Sequence, residues 1–126
     1  MHYDGAGWTT EKHAHYYQGQ AKRASNAGHR VQFTFQGSDI YWRAVADRDG
    51  GKADVFLDDV LVQTVDCFFA ECALPYQFAF IKKGLDPKRQ HTIKIAARGD
   101  KDSRSSGTTI RHIAFEFAGN EQGAGK

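Results

Sequence analysis

Polar and apolar residues alternate in short runs along this chain, and turn residues break the runs. Arg30-Val31-Gln32-Phe33-Thr34-Phe35-Gln36 has period two, as do Asp39 to Val45 and Lys52 to Leu57. Further runs cover Val60 to Val65, Tyr76 to Ile81, His91 to Ala96 and Thr108 to Phe117. Val, Ile, Phe, Tyr and Thr dominate them, the side chains that suit a pleated, half-buried surface. Successive side chains of a strand point to opposite faces, so this alternation sets one face in a core and one in water. Gln36-Gly37-Ser38 predicts a tight connection, and Asp49-Gly50-Gly51 and Asp58-Asp59 predict hairpin turns. Gly84-Leu85-Asp86-Pro87 and Ser105-Ser106-Gly107 predict loops. No stretch longer than about ten residues carries a helical stripe. About eight strands at short spacing, with no helix between them, predict an all-β antiparallel sandwich or jelly roll and no parallel α/β fold.

The ends differ from the middle. Residues 1–20 are aromatic and His-rich without clean alternation, and predict an edge strand plus a long loop. Gly119 to Lys126 is Gly-rich and polar, and predicts a flexible tail or linker. The expectation is one module over residues 1–118 and a tail over 119–126. A chain of 126 residues suffices for that, since a domain of this size buries about two-thirds of its unfolded surface.

Composition narrows the function classes. Hydrophobic residues make up 40% and charged residues 25%, an ordinary globular balance. No apolar run approaches the ~20 residues of a membrane span, so no membrane insertion is expected. Met1 leads into His2-Tyr3-Asp4 with no basic region followed by an apolar stretch, so no signal peptide is expected there. The net charge is +2, and the basic residues are scattered among acidic ones. That pattern reads as a solvated surface, so no nucleic acid is expected as a partner. A monomer is expected.

Candidate chemistry is thin. Cys67 and Cys72, spaced C-x4-C, match no zinc pattern. They leave two readings open, a disulfide or two thiols with one packed in the core. His13-Ala14-His15 would point two imidazoles the same way along a strand. A metal site there also needs a carboxylate nearby, and Tyr16-Tyr17-Gln18-Gly19-Gln20 supplies none; His91 and His112 are distant. Most Asp residues fall in turns, where Asp is favoured for backbone reasons. A glycosidase needs two carboxylates facing across a cleft, which so small a sandwich rarely offers. No enzyme activity, no catalytic residue and no metal site are expected.

Aromatic residues, at 13%, say more. Phe33, Phe35, Phe56, Phe80, Phe115 and Phe117 lie in strands and are expected in the core. Trp8, Tyr16, Tyr17, Phe68, Phe69 and Tyr76 lie in or beside loops. Exposed rings there would offer flat platforms to the apolar C–H faces of sugars.

The order of several motifs resembles a known family. Gly7-Trp8-Thr9-Thr10, Tyr16 to Gly28 and Val31-Gln32-Phe33-Thr34-Phe35-Gln36-Gly37 open the match. Gly51 to Asp59 and Val65-Asp66 continue it; Gly84-Leu85, His91 to Ile95, Ser105-Ser106-Gly107-Thr108 and Ala114-Phe115-Glu116-Phe117 close it. Together they resemble the galactose-binding-like jelly-roll group of carbohydrate-binding modules, found in bacterial polysaccharide-degrading proteins. The resemblance implies a jelly roll of eight to ten strands that binds oligo- or polysaccharide without catalysis. It implies a parent catalytic domain in cis and an extracellular, periplasmic or cell-surface location as part of a larger secreted protein. Two departures stand out. Relatives tend to carry Asp just before the final Ala-Phe, where Ile113 stands here after Arg111 and His112. No cofactor is therefore expected; a structural calcium is left open, and folding is not expected to depend strongly on it. The loop after Val65-Asp66 reads Cys67-Phe68-Phe69 instead of the family's Leu-Tyr-Ser.

Antiparallel succession narrows the ligand site. Alternate connections then share an end, so loops near 26–29, 47–51, 67–75 and 98–107 gather opposite the short turns 37–38, 58–59 and 85–89. Binding residues concentrate on long loops held by a rigid scaffold. The candidate ligand-binding residues are Asp47, Arg48, Phe68, Phe69, Tyr76, Lys101, Asp102 and Arg104. A rival site is a sheet face to which Tyr41 and Arg43 project, with Trp42 in the core. Arg48, Lys101 and Arg104 suit the carboxylates of a uronic-acid glycan such as pectin; neutral galactose- or arabinose-type glycans would bind by stacking. The alternatives are a structural accessory domain of a multidomain glycosidase and a metal-dependent jelly-roll enzyme.

Overall fold

The computed structural model describes residues 2–4, 8–12, 20–24, 28–69 and 78–118. Each period-two run from Arg30 onward becomes a strand. They are β4 (Arg30–Gln36), β5 (Asp39–Val45), β6 (Lys52–Leu57), β7 (Val60–Asp66), β8 (Phe78–Lys82), β9 (Gln90–Ala97) and β10 (Ile110–Ala118). Ahead of them lie β1 (His2–Asp4), β2 (Thr9–Lys12) and β3 (Gln20–Ala24). The N-terminal region thus forms three short strands where the sequence predicts one edge strand. Each is too short to show alternation, and each is placed by its neighbour: β1 on β4, β2 on β3, and β3 on β10.

Two five-stranded sheets result, ordered β1-β4-β9-β6-β7 and β2-β3-β10-β5-β8, with the paired strands antiparallel. The chain switches sheet at each step from β3 to β6 and again from β7 to β10, the winding of a jelly-roll sandwich. Val31, Phe35, Ile93, Ile95, Val55 and Leu57 face inward from one sheet, and Ile40, Trp42, Ala44, Phe80 and Ile110 from the other. Burying each of the larger side chains stabilises the fold by about 1.5–3 kcal/mol relative to exposure. Phe33 bridges the layers, its ring 5.6 Å from that of Phe115 and 5.7 Å from that of Phe117.

Three sequence expectations need correction. Phe56 is only half-buried, because alternation in β6 turns Ala53, Val55 and Leu57 inward; Lys94 Nζ lies 4.8 Å above its outward ring. Phe117 is 50% exposed at the end of β10. Asp49-Gly50-Gly51 is not a hairpin, since it carries the chain from β5 in one sheet to β6 in the other. Its glycines serve close approach: a Cβ on Gly50 would meet the Cys67 carbonyl oxygen at 1.7 Å, and one on Gly51 the Thr108 oxygen at 2.5 Å. Asp58-Asp59 does close the β6–β7 hairpin, at φ 52° and 66°, a conformation Asp tolerates better than most residues.

The two ends of the sandwich differ. At one, Ser38 N–H reaches the Ala118 carbonyl, Leu85 N–H the Ser38 carbonyl and Asp58 N–H the Thr92 carbonyl. At the other lie residues 28–29, 46–51, 67–69 and 98–109. Gly28 N–H binds the Ala97 carbonyl there, Lys52 N–H that of Asp100 and Cys67 N–H that of Gly51.

Candidate functional site

The long-loop end is a built frame. Asp47 N–H donates to the Cys67 carbonyl at 3.1 Å, and the Asp47 carbonyl accepts from Gly50 N–H at 3.1 Å and Phe69 N–H at 2.9 Å. The loop after β5 and the segment after β7 are thereby stitched together. Asp47 Oδ1 takes Arg48 N–H at 2.7 Å, and Asp66 Oδ1 takes Phe68 N–H at 3.0 Å. The second is an Asx turn, which explains why Asp66 sits where the chain bends. Ser105 Oγ lies 3.0 Å from the Arg48 carbonyl, 2.8 Å from that of Gly50 and 2.9 Å from that of Gly107. Its single proton serves one of them at a time. Thr109 N–H donates to the Asp49 carbonyl and Gly51 N–H to the Thr109 carbonyl, both at 2.9 Å. The Arg111 guanidinium forks onto the Asp49 carboxylate from β10 and, against the cost of burial, holds its pKa below the usual 3.8.

Outward from this frame stand the side chains expected to bind. The Arg104 guanidinium carbon lies 5.0 Å from the centre of the half-buried Phe68 ring. Its Nε donates to Asp102 Oδ1 at 3.0 Å and its Nη2 to Oδ2 at 3.2 Å, while Arg104 N–H also reaches Oδ1 at 2.9 Å. These bonds pull the Asp102 carboxyl down to about 2. Lys101 Nζ donates to the Ser105 carbonyl at 2.8 Å. Phe69 is half-buried and Arg48 exposed beside them. The structure thus gathers Asp47, Arg48, Phe68, Phe69, Lys101, Asp102 and Arg104 at one end; Tyr76 lies outside the described residues. Asp47 is half-buried, with Oδ1 held by the Arg48 N–H.

Other expected groups lie elsewhere. Cys67 is buried with a free thiol, and burial pushes its pKa up to about 12, so the thiolate nucleophile is suppressed. Cys72 and the His13-Ala14-His15 motif lie outside the described residues. His112 is fully buried among core side chains and His91 sits at the short-turn end. Among the described residues no three His, Cys, Asp or Glu side chains converge on a common point. The rival face is also real: Arg43 lies 4.1 Å over Phe78 and binds Glu116, Tyr41 packs 5.3 Å from Phe78, and its hydroxyl donates to Asp39 at 3.3 Å.

Sequence reasoning missed the frame residues Ser105, Asp49 and Arg111. For Arg111 a signal exists, because a charged residue in the run Ile110 to Phe117 needs a carboxylate once buried. Ser105 carries none; its role follows from the loop's shape.

No family model matches the chain. Over 88 residues, 70% of its length, it is 38% identical to an A type blood α-D-galactosamine galactosaminidase of Flavonifractor plautii. Over 88 residues it is also 33% identical to an A type blood N-acetyl-α-D-galactosamine deacetylase of the same organism. It spans 8% of the first and 11% of the second, a small part of either. In three dimensions it is similar to part of a Paenibacillus xanthan lyase, with a TM-score of 0.65 and 14% identity over 89% of this chain and 11% of that one. A two-domain esterase active on acetylated mannans shares the fold less closely, with a TM-score of 0.53 and 10% identity over 88% of this chain and 34% of that one. The chain is an antiparallel β-sandwich of a kind also present within larger glycan-processing enzymes.

Proposed function

We propose that this domain is a non-catalytic carbohydrate-binding module that holds a glycan at its long-loop end, for an enzyme joined to it in the same secreted protein. The observation that carries this reading is the convergence of Arg48, Phe68, Phe69, Asp102 and Arg104 on loops fastened to the sandwich through Ser105 and the Arg111–Asp49 pair. A rigid frame under polar and aromatic side chains is what sugar recognition needs. A glycosidase acid needs a raised pKa, whereas Asp49 and Asp102 are both held down by arginine. The names of the two Flavonifractor relatives direct the first probes to galactosamine-bearing glycans.

The test is a glycan array followed by calorimetric titration of the strongest ligand. Phe68→Ala and Arg104→Ala should each weaken binding by about 1–3 kcal/mol. Lys88→Ala, at the opposite end, should leave it unchanged. Binding insensitive to both loop-end variants would move the site elsewhere, with the Tyr41–Arg43–Phe78 face next in line.

A second reading, a packing domain within a larger protein, has one observation in its favour. Val60, Leu61 and Val62 on β7 and Phe78 and Ile81 on β8 are exposed by 38–62%. Both are edge strands of their sheets, and a small pocket nearby is lined by residues at the ends of β5 and β7 together with Ala79 of β8. An apolar flank of that kind suits a neighbouring domain. An array without hits would favour this reading.

A further inference from the structure

Three loop-end cations invite the expectation of an acidic glycan, but Lys101 and Arg104 are held by partners within the loop end itself. Lys101 Nζ donates to the Ser105 carbonyl at 2.8 Å, which holds the ammonium against the loop it braces. Arg104 is forked onto Asp102 at 3.0 and 3.2 Å and laid over Phe68. Asp102 is itself fixed, because the Arg104 backbone N–H binds the same carboxylate at 2.9 Å. A second carboxylate, Asp66, also lies within electrostatic reach of this guanidinium. At Arg104 an arriving uronate would therefore meet Asp102 and Asp66 beside the guanidinium, with Lys52 also acting on Asp102. Opposite unit charges at similar distance act on an anion with opposite sign and similar size, so the repulsion from Asp102 offsets the attraction to Arg104.

What the pair offers instead is a neutral hydrogen-bonding edge. A guanidinium has five N–H groups, and Asp102 engages two of them. The Arg104 side chain is 70% exposed, so the remaining donors face solvent. The Asp102 carboxylate keeps acceptor capacity on Oδ2, which takes one bond where Oδ1 takes two. Donors and acceptors side by side match adjacent sugar hydroxyls, each of which both gives and takes a hydrogen bond. The pair stands beside the Phe68 ring, an apolar platform for the sugar's C–H face.

We infer that the loop-end site selects uncharged, hydroxyl-rich sugars and discriminates against uronic acids, with Asp102 the residue that sets this preference through its grip on Arg104. The inference rests on the carbohydrate-binding reading above and names its ligand class. Asp102 is the switch because its charge, more than its shape, opposes an anion. Asp102→Asn keeps the turn and a carbonyl for Arg104 but removes the repelling charge, so it should convert the site toward anions.

The 126-residue chain and its Asp102→Asn and Arg104→Gln variants are screened on one array of neutral galactosides, blood-group A oligosaccharides and oligogalacturonides. Melting curves accompany each variant to show that it is folded. The strongest neutral ligand and an oligogalacturonide are then titrated at low and high salt. The wild-type chain should bind neutral glycans at least about tenfold more tightly than oligogalacturonides, a difference of about 1.4 kcal/mol. Asp102→Asn should lose neutral affinity and gain oligogalacturonide affinity, with the gain fading at high salt. Arg104→Gln should lose the first without gaining the second. Oligogalacturonides as the strongest wild-type ligands would overturn the inference and leave the carbohydrate-binding reading standing. An array blank for all three proteins would remove both.

Discussion

Arg111 reaches from β10 to the loop between the sheets and forks onto Asp49, with Nη1 2.6 Å from Oδ1 and Nη2 2.8 Å from Oδ2. The guanidinium is buried and the carboxylate only partly so. The two halves of the pair therefore differ in what their loss costs. Asp49→Ala leaves a buried charge without its carboxylate and should destabilise the fold by about 2–3 kcal/mol. Arg111→Met leaves a carboxylate that water can reach and should cost less. Chemical denaturation of both variants checks the order. The Asp49 pKa lies below its ordinary value, so its contribution is present above pH 3.8 and lost as pH falls through the lower folded value.

His91 behaves in the opposite sense. Its Nδ1 lies 2.7 Å from Asp58 Oδ2 and its Nε2 2.8 Å from the Asp86 carbonyl. Both partners are acceptors, so the bound ring carries both protons. Burial alone would lower its pKa, but the Asp58 bond and the Asp86 carbonyl outweigh this and raise it above 6.5. A raised histidine contributes fully below the unfolded value and loses that contribution as pH climbs through the folded one. Thermal melts from pH 6 to 9 should show stability falling in that range. His91→Gln should flatten this slope and cost about 1–3 kcal/mol at pH 6.

Trp42 and His112 form a third pair, and both are fully buried. Trp42 Nε1 donates to His112 Nδ1 at 2.9 Å, so the imidazole is neutral with its proton on Nε2. Burial pushes the His112 pKa down to about 3. A depressed histidine contributes fully above the unfolded value near 6.5 and loses stability as pH falls below it, by at most about 1.4 kcal/mol per pH unit. Denaturation midpoints between pH 6.5 and 4 should fall in the wild type and fall less in His112→Leu. That variant should also cost about 1–3 kcal/mol at neutral pH by stranding the indole N–H.

These residues also mark how far the sequence could be read. Strands such as β5, β6 and β9 were legible because alternation persists over five or more residues. The meeting of the long loops was legible too, since antiparallel succession assigns connections to alternate ends. Gly50 and Gly51 misled because glycine marks close approach as readily as a turn, and no local pattern separates the two. Phe56 misled because type outweighed position: three smaller apolar residues at every second place already claimed the inward face. The engagement of Arg104 by Asp102 and of Lys101 by Ser105 was out of reach, because it depends on a loop conformation that has no period.

The glycine approach is itself testable. A Cβ on Gly50 would lie 1.7 Å from the Cys67 carbonyl oxygen and 2.8 Å from Phe68 N, both backbone atoms that cannot turn aside. Gly50→Ala must therefore part the loop after β5 from the segment after β7, straining the Asp47–Cys67 and Phe69–Asp47 hydrogen bonds. A loss of about 2–4 kcal/mol is expected, the scale of overpacking a close-packed contact. Gly84 is the control. Its φ is +81° and a Cβ there would meet nothing within 4 Å, so Gly84→Ala meets only backbone strain of about 1 kcal/mol. Because the parted segment carries Phe68 and underlies Arg104, Gly50→Ala should also weaken glycan binding among molecules that remain folded. Gly84→Ala, at the short-turn end, should not. Equal melting temperatures for the two variants would show that the loop end yields more easily than its hydrogen bonds imply.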